Sequence, residues 1–172
     1  MGRMQETPEE LDALQALLDQ SIATRNRHLL GIVRPERRLS ASQIATELTG
    51  MKVLVVATVT AAGEPRTSCL DGHFMHGAWV FSTDASAVKA RHIKARPAVS
   101  ATHVDGERLA VFAHGNAEYI DQDSPDFAPL DAYFTGYYGS SPTTWGPNVV
   151  FFRLHATWML GYAADAESFP QA

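Results

Sequence analysis

The chain has one cysteine, Cys69, among 172 residues, which excludes an internal disulfide framework and any multi-cysteine metal site. Nowhere do about 18 apolar residues run together, so no membrane-spanning helix is expected. The first residues, MGRMQETPEE, carry no apolar signal core, and a cytoplasmic location is the expectation. Positive charge is not in excess either: 14 Lys and Arg against 19 Asp and Glu leave a net charge of −5. Basic residues gather only around Arg25–Arg38 and Lys89–Arg96, without the interleaved aromatics of a single-strand binder, so no nucleic-acid face is expected. Also missing are the Gly-x-Ser-x-Gly elbow, the P-loop and the Gly-x-Gly-x-x-Gly fingerprint. The seven histidines lack zinc-ligand spacing: His73 and His76 flank a hairpin turn, while His103 and His114 lie on separate strands. No metal is expected.

What is present is a chain 45% apolar, enough for one ordinary core. Residues 1–50 read as a helical extension. Thr7 followed by Pro8, Glu9 and Glu10 starts a helix bearing Leu11, Leu14, Leu18 and Ile22 at helical spacing. Ser40 with Gln43 forms a capping box for a second helix, and Gly50 stops it. From Lys52 the texture turns to short β-branched runs divided by turn signals: KVLVVATVT, RTSCLDGHF, AWVFST, AVSATHV and RLAVFAHGNAEYI. After a helical stretch near Ser124–Tyr138 and the loop GSSPTTWGPN, a sixth strand, NVVFFRLHATWML, follows. The predicted class is mainly β with attached helices, a small antiparallel β-barrel over residues 51–172. Period-two alternation on the last strand puts Phe151, Arg153 and His155 on one face and Phe152, Leu154, Ala156 and Trp158 on the other.

One stretch, FSTDASAVKARHIKARP (residues 81–97), runs a strand into a helix. Ser82, Thr83, Asp84 and Ser86 at that junction would stand beside free backbone N–H groups, an arrangement suited to phosphate. Lys89 reads either as a counter-charge for such an anion or as a solvated surface lysine. Arg66, directly after the Gly63–Pro65 turn, reads either as a bidentate phosphate ligand or as an edge-strand charge. Cys69 reads as a small residue packed within its strand. Trp158 suits core, interface or a cofactor-stacking role.

Taken in order, VVATVTAAGEPRTSCLDGHF, GAWVFSTDASAVKARHIKARPAVSATH and a final strand closing with a tryptophan resemble the pyridoxamine 5'-phosphate oxidase-like, flavin-binding split-barrel superfamily over roughly Leu48 to Tyr162. The resemblance implies a six-stranded Greek-key split barrel, a homodimer, and FMN, or alternatively a deazaflavin, in a groove between subunits. It assigns the cofactor phosphate to Ser82, Thr83, Lys89 and Arg66, and the isoalloxazine to the backbone of Thr67, Ser68 and Cys69, with Trp158 as a further cofactor contact. Where many oxidases carry a second basic residue before the lysine, this chain has Ala87 and Val88. The Arg-Leu-His at Arg153–His155 precedes Trp158, whereas true vitamin B6 oxidases carry theirs after it. The implied activity is therefore an oxidoreductase acting on a small conjugated substrate other than the B6 vitamer, with non-catalytic flavin or haem binding as the alternative. No catalytic residue is assigned.

Overall fold

The computed structural model describes residues 6–23 and 27–170. Helix α1 (Pro8–Ala23) opens with reciprocal bonds: the Glu10 N–H donates to Thr7 Oγ1 at 3.3 Å and the Thr7 N–H to the Glu10 carboxylate at 2.9 Å. After α2 (Arg27–Ile32), α3 (Ala41–Glu47) opens on the same device, with Ser40 and Gln43 exchanging bonds. Each box satisfies amides that the first turn leaves unpaired. The barrel strands are β1 (Met51–Val59), β2 (Pro65–Met75), β3 (Ala78–Asp84), β4 (Ala98–Asp105), β5 (Leu109–Ile120) and β6 (Val149–Ala163). Helix α4 (Val88–Ala95) lies between β3 and β4, and α5 (Phe127–Tyr138) between β5 and β6.

All pairings are antiparallel and the barrel closes in the order β1-β2-β3-β6-β5-β4. Strands β4, β5 and β6 form a meander, and β3 lies beside β6, the Greek-key arrangement. One face of each strand feeds the interior, where Leu54, Phe74, Trp79, Phe81 and Phe152 are buried together with Leu14, Leu18 and Ile44 of the helices. A second buried cluster lies outside the barrel wall, where α5 covers Met75, Val80 and Phe151.

Strict alternation fails on β6. Gly115 pairs with Ala156 but His114 pairs with Trp158, so Thr157 is an extra residue, a β-bulge. Before it, Phe152 and Leu154 face inward at 0% and 1% exposure; after it, Met159 takes the inward position. The apolar stripe expected from Phe152, Leu154 and Trp158 therefore does not exist as a surface. Two of its members fill the core, and the bulge turns Trp158 to the outer wall. Serine 21 of α1 services the bulge, its Oγ accepting the Met159 N–H at 2.9 Å while its carbonyl accepts the Trp158 indole N–H at 3.1 Å.

The bulge requires glycine on the facing strand. A Cβ at Gly115 would stand 2.0 Å from the His155 carbonyl oxygen, inside backbone that cannot move without breaking the ladder. Gly115→Ala is therefore expected to destabilise by about 2–3 kcal/mol or more, read as a lowered urea midpoint at unchanged slope. Gly136→Ala, in α5 with nothing within 4 Å of its Cβ, should be neutral or stabilising; equal midpoints for the two variants would refute the register.

Candidate functional site

The site grows from an unfinished pairing. Strand β2 has 11 residues, yet only Gly72–Met75 pair with β3, against Ala78–Phe81. Its first half, Pro65–Asp71, stays with β1, while Ser82–Asp84 pair with Val149–Phe151 of β6. The wall splits between them.

At the base of the split, α4 begins. Its N-cap is Ala87, which offers no side-chain cap, so the amides of Val88, Lys89 and Ala90 point out of the first turn without one. Ser86 does not cap the helix, because its N–H and Oγ both donate to Asp84 Oδ1, at 2.7 and 2.5 Å. Those bonds hold the Asp84 carboxyl below its usual range. Lys89 is the second helical residue, nearer the positive end than its spacing suggested, and half-buried. Thr58 ties the two sides together: it pairs with Arg66 across β1 and β2, and its Oγ1 lies 3.1 Å from His92 Nδ1, one turn beyond Lys89. Arg66 and α4 thus lie at one end of the barrel. Arg66 is exposed and bonds the Glu64 carboxylate at 2.7 Å.

The other candidates lie elsewhere on the wall. Ladder partners run in one row across the outer face, Thr67–Ala57–Ser100–His114–Trp158. The row follows the curved wall over four strand spacings. Cys69 sits in the next row with Val55, Thr102 and Phe112, and it is exposed rather than packed as its residue type suggested. Trp158 stacks on His114 with centroids 4.6 Å apart, and the His114 Nδ1 lies 2.9 Å from Ser100 Oγ. Arg153 and His155 are engaged in ion pairs with Glu118 and Asp126.

Ser82 and Thr83 line a cleft of about 280 Å³ whose other walls are Asp71, Asp84, Phe134, Tyr138 and Trp145. Sequence reasoning missed this cleft. Its one signal was the aromatic run Tyr133, Phe134, Tyr137 and Tyr138 at helical spacing, read only as a helix. Beneath it His73 is fully buried, one ring nitrogen 3.1 Å from the Tyr133 hydroxyl and the other 2.9 Å from that of Tyr138. Burial lowers the His73 pKa to about 4, and burial raises that of Tyr138 to about 12.

A closed six-stranded barrel, split beside an uncapped helix start that carries a lysine, defines a class of small split-barrel proteins. The family model described as pyridoxamine 5'-phosphate oxidase matches residues 41–162, and the chain belongs to that family. No curated protein matches by sequence. Similar solved structures include a conserved hypothetical protein from Mycobacterium tuberculosis, 19% identical, covering 81% of this chain and 94% of its own, with a TM-score of 0.66. A FAD-binding protein from Mesorhizobium loti is 20% identical over 73% of this chain and 94% of its own, TM-score 0.58. A pyridoxamine 5'-phosphate oxidase-related, FMN-binding protein from Nostoc punctiforme is 19% identical over 64% and 73%, TM-score 0.52. At these identities the likeness shows the fold alone.

The buried His73 sets a pH dependence. Its folded pKa lies below the ordinary 6.5, so below that pH the unfolded chain binds a proton that the folded chain refuses. Stability is complete well above pH 6.5 and falls as pH drops toward 4. The expected loss from pH 6.5 to 5 is about 1.5 kcal/mol, measured by urea unfolding, with the His73 ring resonances showing little protonation over that range. A flat profile, or a His73 signal titrating near 6.5, would overturn this reading.

Proposed function

We propose that the protein binds FMN with its phosphate at the start of α4 and its ring along the first half of β2, and works as an oxidoreductase on a small conjugated substrate. One observation carries the reading: α4 starts on uncapped amides with Lys89 in its first turn, and its His92 meets Thr58, the cross-strand partner of Arg66. That donor set fits a phosphate dianion, which helix amides and charge-assisted bonds favour. Arg66 would exchange its Glu64 partner for the phosphate, and Thr83 would add a hydroxyl from the end of β3. The backbone of Thr67, Ser68 and Cys69 would border the ring and supply hydrogen bonds that tune it. Bound flavin supplies two-electron transfer; the chain supplies placement and electrostatics. Names of similar structures that bind FMN and FAD support a flavin-type ligand. A deazaflavin would need further cations for its longer anionic tail. Of the basic connector, Arg34 pairs with Glu36 and Arg38 donates to the Val33 carbonyl, while Arg25 and the Arg27 side chain lie outside the described residues.

A B6 vitamer is not the proposed substrate, because Arg153 and His155 lie before Trp158 and are held by carboxylates. A non-catalytic, flavin- or haem-holding role remains the second reading. It is favoured by a haem-binding protein from Mycobacterium smegmatis among the similar structures, 18% identical over 67% of this chain with a TM-score of 0.54.

The proposed assembly is a homodimer through the outer wall, where Val53 and Val104, each 54% exposed, and Val55 stand in the open beside Cys69. Thr67 and Trp158 end the same outer row, on β2 and β6. A two-fold pairing of this face would lay the Trp158 end of one copy against the Thr67 end of the other, which is how Trp158 would reach the same ring. No helix among the described residues is long and apolar enough to cross a membrane, in keeping with the proposed cytoplasmic location.

Lys89→Ala is expected to weaken FMN binding by about 1.5–3 kcal/mol, the worth of a charge-assisted hydrogen bond. Absorbance titration measures this, and an unchanged affinity would sink the site. The spectrum after reconstitution distinguishes flavin from deazaflavin, and anaerobic reoxidation of the reduced holoprotein by conjugated acceptors distinguishes enzyme from carrier. Val55→Asp is expected to shift sedimentation from dimer to monomer and to weaken FMN binding at the same time. A monomeric wild type with full flavin occupancy would refute the shared site.

A further inference from the structure

We infer that the cleft between β3, α5 and the loop after it is a binding site for a small organic cation with a methylated ammonium or similarly diffuse positive head. Its lining holds two carboxylates, Asp71 and Asp84, and no basic side chain. Asp84 is kept anionic by the Ser86 hydroxyl and amide. Three aromatic rings complete the walls. Tyr138 and Trp145 meet edge to face, centroids 5.0 Å apart at 82°, so two ring systems form a corner, and Phe134 stacks behind Tyr138 as its floor. Ring faces carry negative quadrupole charge, and such a corner beside a carboxylate attracts a weakly hydrated cation more than a neutral group of equal size.

The walls are built in advance. The Trp145 indole N–H donates to Ser140 Oγ at 3.0 Å, which pins a ring that is otherwise 50% exposed. The Tyr138 hydroxyl is held 2.9 Å from the buried His73 Nε2 and also engages Asp71, which joins the carboxylate to the aromatic wall. Gly146 passes close to Asp84, its ideal Cβ 3.8 Å from Oδ2, and the missing side chain leaves the mouth open. An exposed tryptophan fixed by a hydrogen bond in the wall of a two-carboxylate cleft buries little apolar surface for folding, which suits a side chain that faces a ligand.

The inference does not rest on the flavin reading, and its test uses no flavin signal. Choline is titrated calorimetrically into the full-length protein, beside its neutral isostere 3,3-dimethylbutan-1-ol and beside acetate. Saturable choline binding is expected, at least tenfold tighter than the isostere, with no acetate binding. Asp71→Asn and Trp145→Ala should each weaken choline about tenfold, while circular dichroism and melting temperature stay at the wild-type values. Both positions are exposed, so at least one variant should fold. The inference is overturned if choline does not bind at tens of millimolar, if the isostere binds equally well, or if neither folded variant loses affinity.

Discussion

Everything at the functional end of this barrel depends on β2 and β3 pairing over only four residues each. Had the ladder continued, Leu70 and Asp71 would have bonded Ser82 and Thr83, and the backbone of Thr67–Cys69 would have been consumed by a neighbour on both sides. Because it stops, the first half of β2 keeps one edge unpaired, a cost a sheet normally avoids. That edge is a row of unpaired backbone donors and acceptors. Strand β3 pairs with β6 on its other side along Trp79–Asp84, and α4 crosses the barrel end, with Ala90 and Ile93 buried in the core.

The opposite side of the barrel is organised by the bulge at Thr157. It inverts the faces of β6, which lets Phe152 and Leu154 pack inward at one end and Trp158 lie on the outer wall at the other. The inversion would leave backbone groups unserved, and α1 answers with Ser21, buried at 2% exposure. That explains why a polar residue sits on the apolar face of α1, where Leu14 and Leu18 belong to the same buried cluster as the strands. The helix is thus matched to the bulge by a hydrogen bond as well as by hydrophobic burial.

Local chemistry was legible in the sequence and non-local geometry was not. The Ser40–Gln43 box, the limits of the first five strands within a residue and the barrel class could be read, because capping and alternation are short-range signals, while β6 runs three residues past its expected end to Ala163. The bulge could not: nothing in HATW marks one residue as extra, and only the pairing of Gly115 with Ala156 reveals it. Ser86 shows the same limit: Asp84 two residues earlier takes its hydroxyl in a charge-assisted bond, which the order of residues at the junction does not announce. The resemblance located Arg66, Lys89 and the Thr67–Cys69 segment. It could say nothing of Asp71 with Tyr138 and Trp145, which are 67 and 74 residues away from Asp71 in sequence and meet only because α5 folds back over β2.

These two kinds of signal produce a division of charge along one strand. Alternation sets Ser82 on the α5 side of β3, with Val80, and Thr83 on the side of Phe81 and the barrel interior. On the first side the carboxylates of Asp71 and Asp84 stand with aromatic rings; beyond the strand's end stand the amides of α4 with Lys89 and, across the split, Arg66. Asp71 and Arg66 are exposed and Arg66 is paired with Glu64, so salt screens this contrast and it acts only at short range. The strand that separates the two zones leaves β2 after four pairs while staying with β6 throughout, so the split that opens the edge also sets the two zones apart.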